Sequence, residues 1–233
     1  MLFHIGLENN VEGRSIAWVL GYPGCFAYGQ DGEAALKATP AAISSYGNWI
    51  ASHKEEGWFS SQDPEIQLDE TWECYSIDEN YELAADGYEV NAWFRHDWKP
   101  LTEEDIERGL LLLTWCRDDL LLSVRNLSQE VLERKYPGGR WNIAGILKHI
   151  GGADWWYLDR LGLAFPREQV PGEPFARLET TRSHLLAKLP GLVGLKHVLG
   201  SDGEIWSPRK LLRRAVWHEH DHTNHIQKLL GNL

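Results

Sequence analysis

Trp217-His218-Glu219-His220-Asp221-His222-Thr223-Asn224-His225 lies near the end of the chain, in a stretch with helical spacing, and holds four of the chain's ten histidines. At about 100° per residue, His218 and His222 point in nearly the same direction. His225 falls close beside them and His220 on the opposite side. Leu211, Ala215, Ile226 and Leu229 share the stripe of the clustered histidines. Turning imidazoles toward a helix's own core carries a desolvation cost. Metal ligation is the usual reason, since neutral imidazole is the commonest protein ligand for metals.

Upstream of this helix, Ser207-Pro208 supplies an N-cap and a first-turn proline. Further back, Thr102-Glu103-Glu104-Asp105 reads as a capping-box start. It leads into Ile106, Leu110, Leu113, Leu120, Val124 and Leu127, whose heptad-like steps suit a bundle seam. Residues 141–161 and 173–189 give the second and third helices. Four helices joined by modest loops predict an all-α, up-down four-helix bundle over residues 99–233.

Residues 1–98 read as strands and turns around one helix, which makes the whole chain α+β. Short apolar runs at 3–7 and 16–20 are separated by Asn9-Asn10 and Glu12-Gly13, both hairpin signals. Tyr22-Pro23-Gly24 is a turn, and 25–28 can form another strand. A helix is expected over 32–53, kinked or split at Pro40. Strands are expected at 71–76 and 88–94, with 57–64 as a loop.

A three-imidazole site needs one ligand from a neighbouring helix, and His149 is the best placed. It sits at the edge of an apolar arc of Ile143, Ile146, Ile150 and Ala153, and Gly151-Gly152 beside it allow another element to come close. Histidines at i and i+4 have Cβ atoms about 5–6 Å apart and can share one ion. A third imidazole leaves positions for water or substrate, the catalytic arrangement; a fourth protein ligand would make the site structural. His225 or Asp154 is the candidate for such closure, although Asp154 points away from His149. His220, Glu219 and Asp221 read as the wet side, where either acid could accept a bond from an imidazole N–H. Arg117 interrupts the apolar seam between Leu113 and Leu120. It either binds a carboxylate or thiol-cofactor anion near the metal or makes a structural salt bridge to the next helix. Arg209, Lys210, Arg213 and Arg214 read as a solvated face. Trp155, Trp156 and Tyr157 either wall a pocket or belong to the core.

Composition narrows the function classes. A formal net charge of −11 argues against a general nucleic-acid or anionic-membrane binder. Cys25, Cys74 and Cys116 have no paired spacing, as expected of reduced thiols. No signal peptide is visible at the start, and no apolar run approaches the ~20 residues that span a bilayer. A cytoplasmic location is expected.

Two resemblances follow. Trp141-Asn142-Ile143, Leu147-x-His149 and Trp155-Trp156-Tyr157 resemble the second helix of DinB-like four-helix bundles. Ser207-Pro208-Arg209-Lys210-Leu211-Leu212 and His218-x-x-x-His222-x-x-x-Ile226 resemble their last helix. The resemblance covers roughly residues 100–233. It departs at Asn142, where the pattern more often has Ser or Thr; Asn caps a helix as well. It implies a divalent metal, nickel or zinc above all, on three histidines matching His149, His218 and His222. It also implies dimerisation and, in some members, transferase activity with a low-molecular-weight thiol. Over residues 1–55, Tyr22-Pro23-Gly24-Cys25-Phe26, Gly29 and Glu33-Ala34 resemble HicB-like antitoxin domains, β-β-β-α-β units that bind partner proteins. No DNA-binding element accompanies them here, so a docking or substrate-covering role is expected. The leading expectation is a metal-dependent thiol transferase or hydrolase acting on a small molecule. The alternative is a non-catalytic binding protein stabilised by its metal.

Overall fold

In the computed structural model, short apolar runs near the N-terminus form β1 (Leu2–Val11), β2 (Arg14–Val19) and β3 (Phe26–Gly29), followed by α1 (Gly32–Ser52) and β4 (Glu65–Glu73). The structure describes residues 1–53, 58–60, 62–137 and 139–231. The strands form one sheet of order β3-β2-β1-β4, antiparallel except where β1 pairs with β4. Glu12 and Gly13 turn between β1 and β2 with φ of 48° and 77°, the positive pair of a two-residue hairpin. Asn9-Asn10 do not turn; they lie inside β1, where the register shifts between Glu8 and Val11. Of the kink or split expected at Pro40, the split does not occur, since α1 runs through it. Ala35, Thr39, Ile43, Tyr46 and Ile50 bury one face of α1. That burial outweighs the ~3 kcal/mol cost of an interior proline. The β-β-β-α-β order is present. The expected 71–76 strand instead begins at Glu65 and divides into β4 and β5 (Tyr75–Ile77), which pairs with β6 (Tyr88–Val90). Gly57 and Ser61 of the expected loop lie outside the described residues.

The chain divides into two compact units: Met1–Lys99 with Val198–Lys210, and Pro100–His197 with Leu211–Leu233. A single crossing near residue 98 does not include the return of Val198–Lys210. That return is a hairpin of β7 (Leu199–Ser201) and β8 (Glu204–Trp206), turning on Asp202-Gly203 with φ of 50° and 79°. Asp-Gly is the favoured pair for such a turn, so the signal was present in the sequence. Glu204 accepts the Asn91 N–H at 2.6 Å, and its carboxylate lies 3.4 Å from Lys210 Nζ, with both side chains fully buried. Lys210 also stands 4.5 Å over the Trp206 ring. The basic run is thus not a solvated face: Arg213 and Arg214 are buried too, Arg214 lying over Trp217 at 4.4 Å.

The second unit holds α2 (Glu103–Val124), the short α3 (Gln129–Glu133), α4 (Ile143–Asp159), α5 (Pro174–Lys188) and, from Leu211 onward, α6 (Pro208–Leu229). Thr102 and Asp105 form the capping box of α2, and Asn142 Oδ1 caps α4 by accepting the Gly145 N–H at 2.8 Å. Leu120 and Val124 of α2 meet Ile143, Ile146, Leu147 and Ile150 of α4, Leu178 of α5 and Ile226 of α6 in one apolar core.

The helices do not alternate in direction, which corrects the simple up-down order. Contacts between α2 and α6 advance together along both: Gly109 meets Leu212, Cys116 Sγ faces the Val216 carbonyl, and Gln227 donates to Ser123 Oγ. Lys148, Gly151 and Asp154 of α4 likewise meet Arg177, Leu178 and Arg182 of α5 in step. Arg117 reaches the Leu178 carbonyl while Arg182 reaches that of Leu113, so α2 and α5 run oppositely. The order is up-down-down-up. Residues 160–173 make this crossover, carrying the chain back along the 17 residues of α4. At ~1.5 Å rise per helical residue and ~3.3 Å per extended one, that connection is ample.

Close packing of α4 on α5 depends on Gly151. A Cβ there would stand 2.8 Å from Arg177 Cγ and 3.1 Å from the Leu178 backbone nitrogen, whereas at Gly152 the nearest atom is 3.9 Å away. Gly151→Ala is expected to destabilise by about 1–3 kcal/mol in urea denaturation. Gly152→Ala should gain about 0.5–1 kcal/mol from helix propensity. Equal effects at the two sites would refute this packing.

Candidate metal centre

His218 and His222 occupy successive turns of α6, with ring centroids 4.4 Å apart. The α4 cap at Asn142 and the burial of Ile146, Leu147 and Ile150 set that helix's rotation and turn His149 toward them. The His149 ring lies 4.7 Å from that of His218 and 5.0 Å from that of His222. Its Nε2 is 2.9 Å from His218 Nε2. One nitrogen from each of the three rings lies within 4.8 Å of the others. Trp141 packs against His149 at 4.5 Å, and Tyr157 stands edge-on to His218 at 6.1 Å.

This donor set fits a divalent ion. Metal–imidazole bonds of about 2.0–2.1 Å place neighbouring ligand nitrogens about 3–3.4 Å apart, and the closest pair already has nearly that spacing. Burial holds the His218 pKa well below the ordinary range, and charge on His222, His149, Arg214 and Arg182 lowers it further. The ring therefore stays neutral, the form that ligates. Among the described residues no other His, Cys, Asp or Glu joins the group. His225 is exposed, with its ring 6.3 Å from that of His222. Asp154 is engaged elsewhere.

His220 is half-buried, not solvent-facing; burial lowers its pKa to about 4 against the opposing pull of Asp119. Glu219 departs further from the wet side, at 1% exposure. It belongs to a buried ring of charges with one member from each bundle helix. Arg117 Nε of α2 bonds Glu219 of α6 at 2.6 Å, and Arg117 Nη2 lies 3.4 Å from Asp154 of α4. Arg182 of α5 bonds Asp154 at 2.9 Å through Nε and also pairs with Glu219. Each arginine donates to the carbonyl one turn before the other: Arg117 Nη1 to Leu178 and Arg182 Nη1 to Leu113, both at 2.6 Å. All three nitrogens of Arg117 thus have protein partners. Its anion-binding reading gives way to the salt-bridge one, because its donors are consumed in holding the helices.

Arg182 is the functional-looking residue that sequence reading missed, and Glu219 is the one it placed on the wrong side of its helix. A charged residue inside the apolar arc of Leu178, Thr181 and Leu185 was the available signal. His184 is an ordinary residue, bonding the Leu163 carbonyl at 2.9 Å. All three cysteines are buried, and burial raises the thiols of Cys25 and Cys116 well above their usual range, so neither is an activated nucleophile.

A helix bundle with three converging imidazoles is the class that fold and site define. Residues 112–226 match the family model of the DinB superfamily. Among solved structures, the chain is similar to TT2238, described as a four-helix bundle protein, at 21% identity and TM-score 0.43, covering 53% of this chain and 98% of that one. It is also similar to YfiT from Bacillus subtilis, described as a probable metal-dependent hydrolase with an unusual four-helix bundle topology. That match has 20% identity and TM-score 0.45, covering 57% of this chain and 91% of that one. No curated protein matches the chain.

Removing one member of the buried charge ring leaves the others uncompensated. Glu219→Leu or Arg182→Met is expected to cost about 3–5 kcal/mol in urea denaturation, and the double variant less than the sum of the two. Losses under about 1 kcal/mol for both single variants would show that the ring does not hold the bundle.

Proposed function

We propose that His149, His218 and His222 hold one divalent metal ion, nickel or zinc, and that the protein is a metal-dependent enzyme of the thiol-dependent transferase or hydrolase type. One observation carries this reading: three imidazoles converge with no fourth protein ligand among the described residues. Three nitrogen ligands leave coordination positions for small molecules, as in catalytic sites. The chemistry such an ion supplies is Lewis-acid activation, lowering the pKa of a thiol or water in an open position. The chain's own residues prepare for this. His218 is kept neutral, Trp141 covers one face of His149, and the Glu219 ion pairs fix the rotation of α6. Since the chain's cysteines are buried, the thiol is a low-molecular-weight one that arrives with a small-molecule substrate. Dimerisation of the bundle belongs to the same reading. The β-β-β-α-β unit is read as a HicB-like module that docks a protein partner or covers the substrate. The charge of −11 favours neither nucleic acid nor membrane as that partner.

Purified protein should carry about one divalent ion per chain by elemental analysis. His149→Ala, His218→Ala and His222→Ala should each abolish binding, whereas His220→Ala should keep it. Full occupancy in His222→Ala would overturn the ligand assignment. A small thiol added to cobalt-substituted protein should change its visible spectrum by direct coordination. An unchanged spectrum at saturating thiol would replace the enzyme with a non-catalytic protein that its metal stabilises.

A further inference from the structure

The crossover between α4 and α5 does more than reverse the chain. Residues 160–173 fold back over the C-terminal half of α4, where Trp155 Nε1 pins them by donating to the Phe165 carbonyl at 2.8 Å. Beneath this strap is a cavity of about 490 Å³ lined by Trp155, Trp156, Asp159, Arg160, Arg167 and Arg177, among others. In size it lies within the range of small-molecule sites. Its walls include two indoles, three guanidinium groups and one carboxylate, on a chain whose acidic residues outnumber its basic ones by 34 to 23.

The charge in this cavity is not neutralised from within. Asp159 takes Arg160 at 2.9 Å, and Arg160 also lies 4.8 Å over the Trp156 ring. Arg167 and Arg177 make no ion pair with an acid among the described residues. Arg177 is held in place: Nε donates to the Pro171 carbonyl at 2.7 Å, Nη1 lies 3.4 Å from the Lys148 carbonyl, and Cγ lies in the space left by the absent side chain of Gly151, so Nη2 is the donor without a partner among the described residues. Arg167 reaches in from the strap, 6.0 Å from the Trp155 ring centroid. Two guanidinium groups suit a planar oxyanion in bidentate fashion, and indole faces suit a flat ring.

We propose that this cavity is a binding site for a small organic anion that carries an aromatic ring, with Arg167 and Arg177 on its carboxylate or phosphate and Trp155 and Trp156 against its ring. The site is separate from the histidine centre and does not depend on a metal there.

Isothermal titration calorimetry of the full chain with 1-naphthoate, 1-naphthyl phosphate and neutral 1-naphthamide tests it. At least one of the two anions should bind, at least tenfold more tightly than the amide; the stronger of them tells carboxylate from phosphate. Arg167→Ala, at an exposed position whose guanidinium makes only the distant Trp155 ring contact, should weaken that anion about tenfold. Arg177→Gln should do the same, and Arg177→Lys should weaken it less than Gln. His222→Ala should leave binding unchanged. The proposal is overturned if amide and anions bind alike, if neither anion binds, or if Arg167→Ala has no effect. It is equally overturned if His222→Ala removes binding, which would place the anion at the histidine centre.

Discussion

The ion ring of Arg117, Asp154, Arg182 and Glu219 is the constraint on which the bundle depends. Isolated buried charges are among the costliest groups a fold can contain, and a buried pair is stable only when geometry and extra hydrogen bonds are good. Here each of the four bundle helices contributes one charge, and each arginine also takes a carbonyl from the helix facing it. Apolar packing alone tolerates slippage, because one leucine resembles another. A closed ring of two cations and two anions tolerates very little, since sliding any helix by one residue leaves a charge in the core without its partner.

That fixity reaches the histidines through the sequence itself. Glu219 directly follows His218 and precedes His222 by less than one turn, so pinning its carboxylate sets the rotation of α6 about its own axis. The apolar core of Ile146, Leu147 and Ile150 does the same for α4 and His149. His149 therefore meets the His218–His222 pair although it belongs to another helix. Their 2.9 Å approach between His149 and His218 results from two helices whose rotations are set elsewhere. Preorganisation of this kind lets a site keep open positions, because no fourth ligand is needed to hold it together.

Local periodicity made the i, i+4 pair of His218 and His222 legible in the sequence, as it did the capped starts at Thr102 and Asn142. His149 was legible because it stands at the edge of an apolar arc with glycine beside it. Glu219 and Lys210 were misread as solvated for a common physical reason. Helical position says which face a charge occupies, not whether an opposite charge from another element covers it. Arg182 neutralises Glu219 from 37 residues away, and Glu204 neutralises Lys210 from the β7–β8 hairpin that precedes α6. Helix direction was hidden likewise, since a long connection is compatible with either a wide loop or a crossover. The short β7–β8 hairpin escaped because three-residue strands carry no periodicity, although its Asp-Gly turn was in view.

The up-down-down-up order has a chemical consequence that simple alternation would lack. Alternating helices need only tight loops at the bundle ends, and tight loops build no walls. Carrying the chain from the end of α4 back to the start of α5 lays residues 160–173 along the side of the bundle, where they close over Trp155 and Trp156. Parallel neighbours also bring Gly151 against Arg177, and that contact orients a guanidinium which an alternating bundle would place elsewhere. One topological choice thus supplies the close α4–α5 packing and, beside it, a cationic cavity on an otherwise acidic chain.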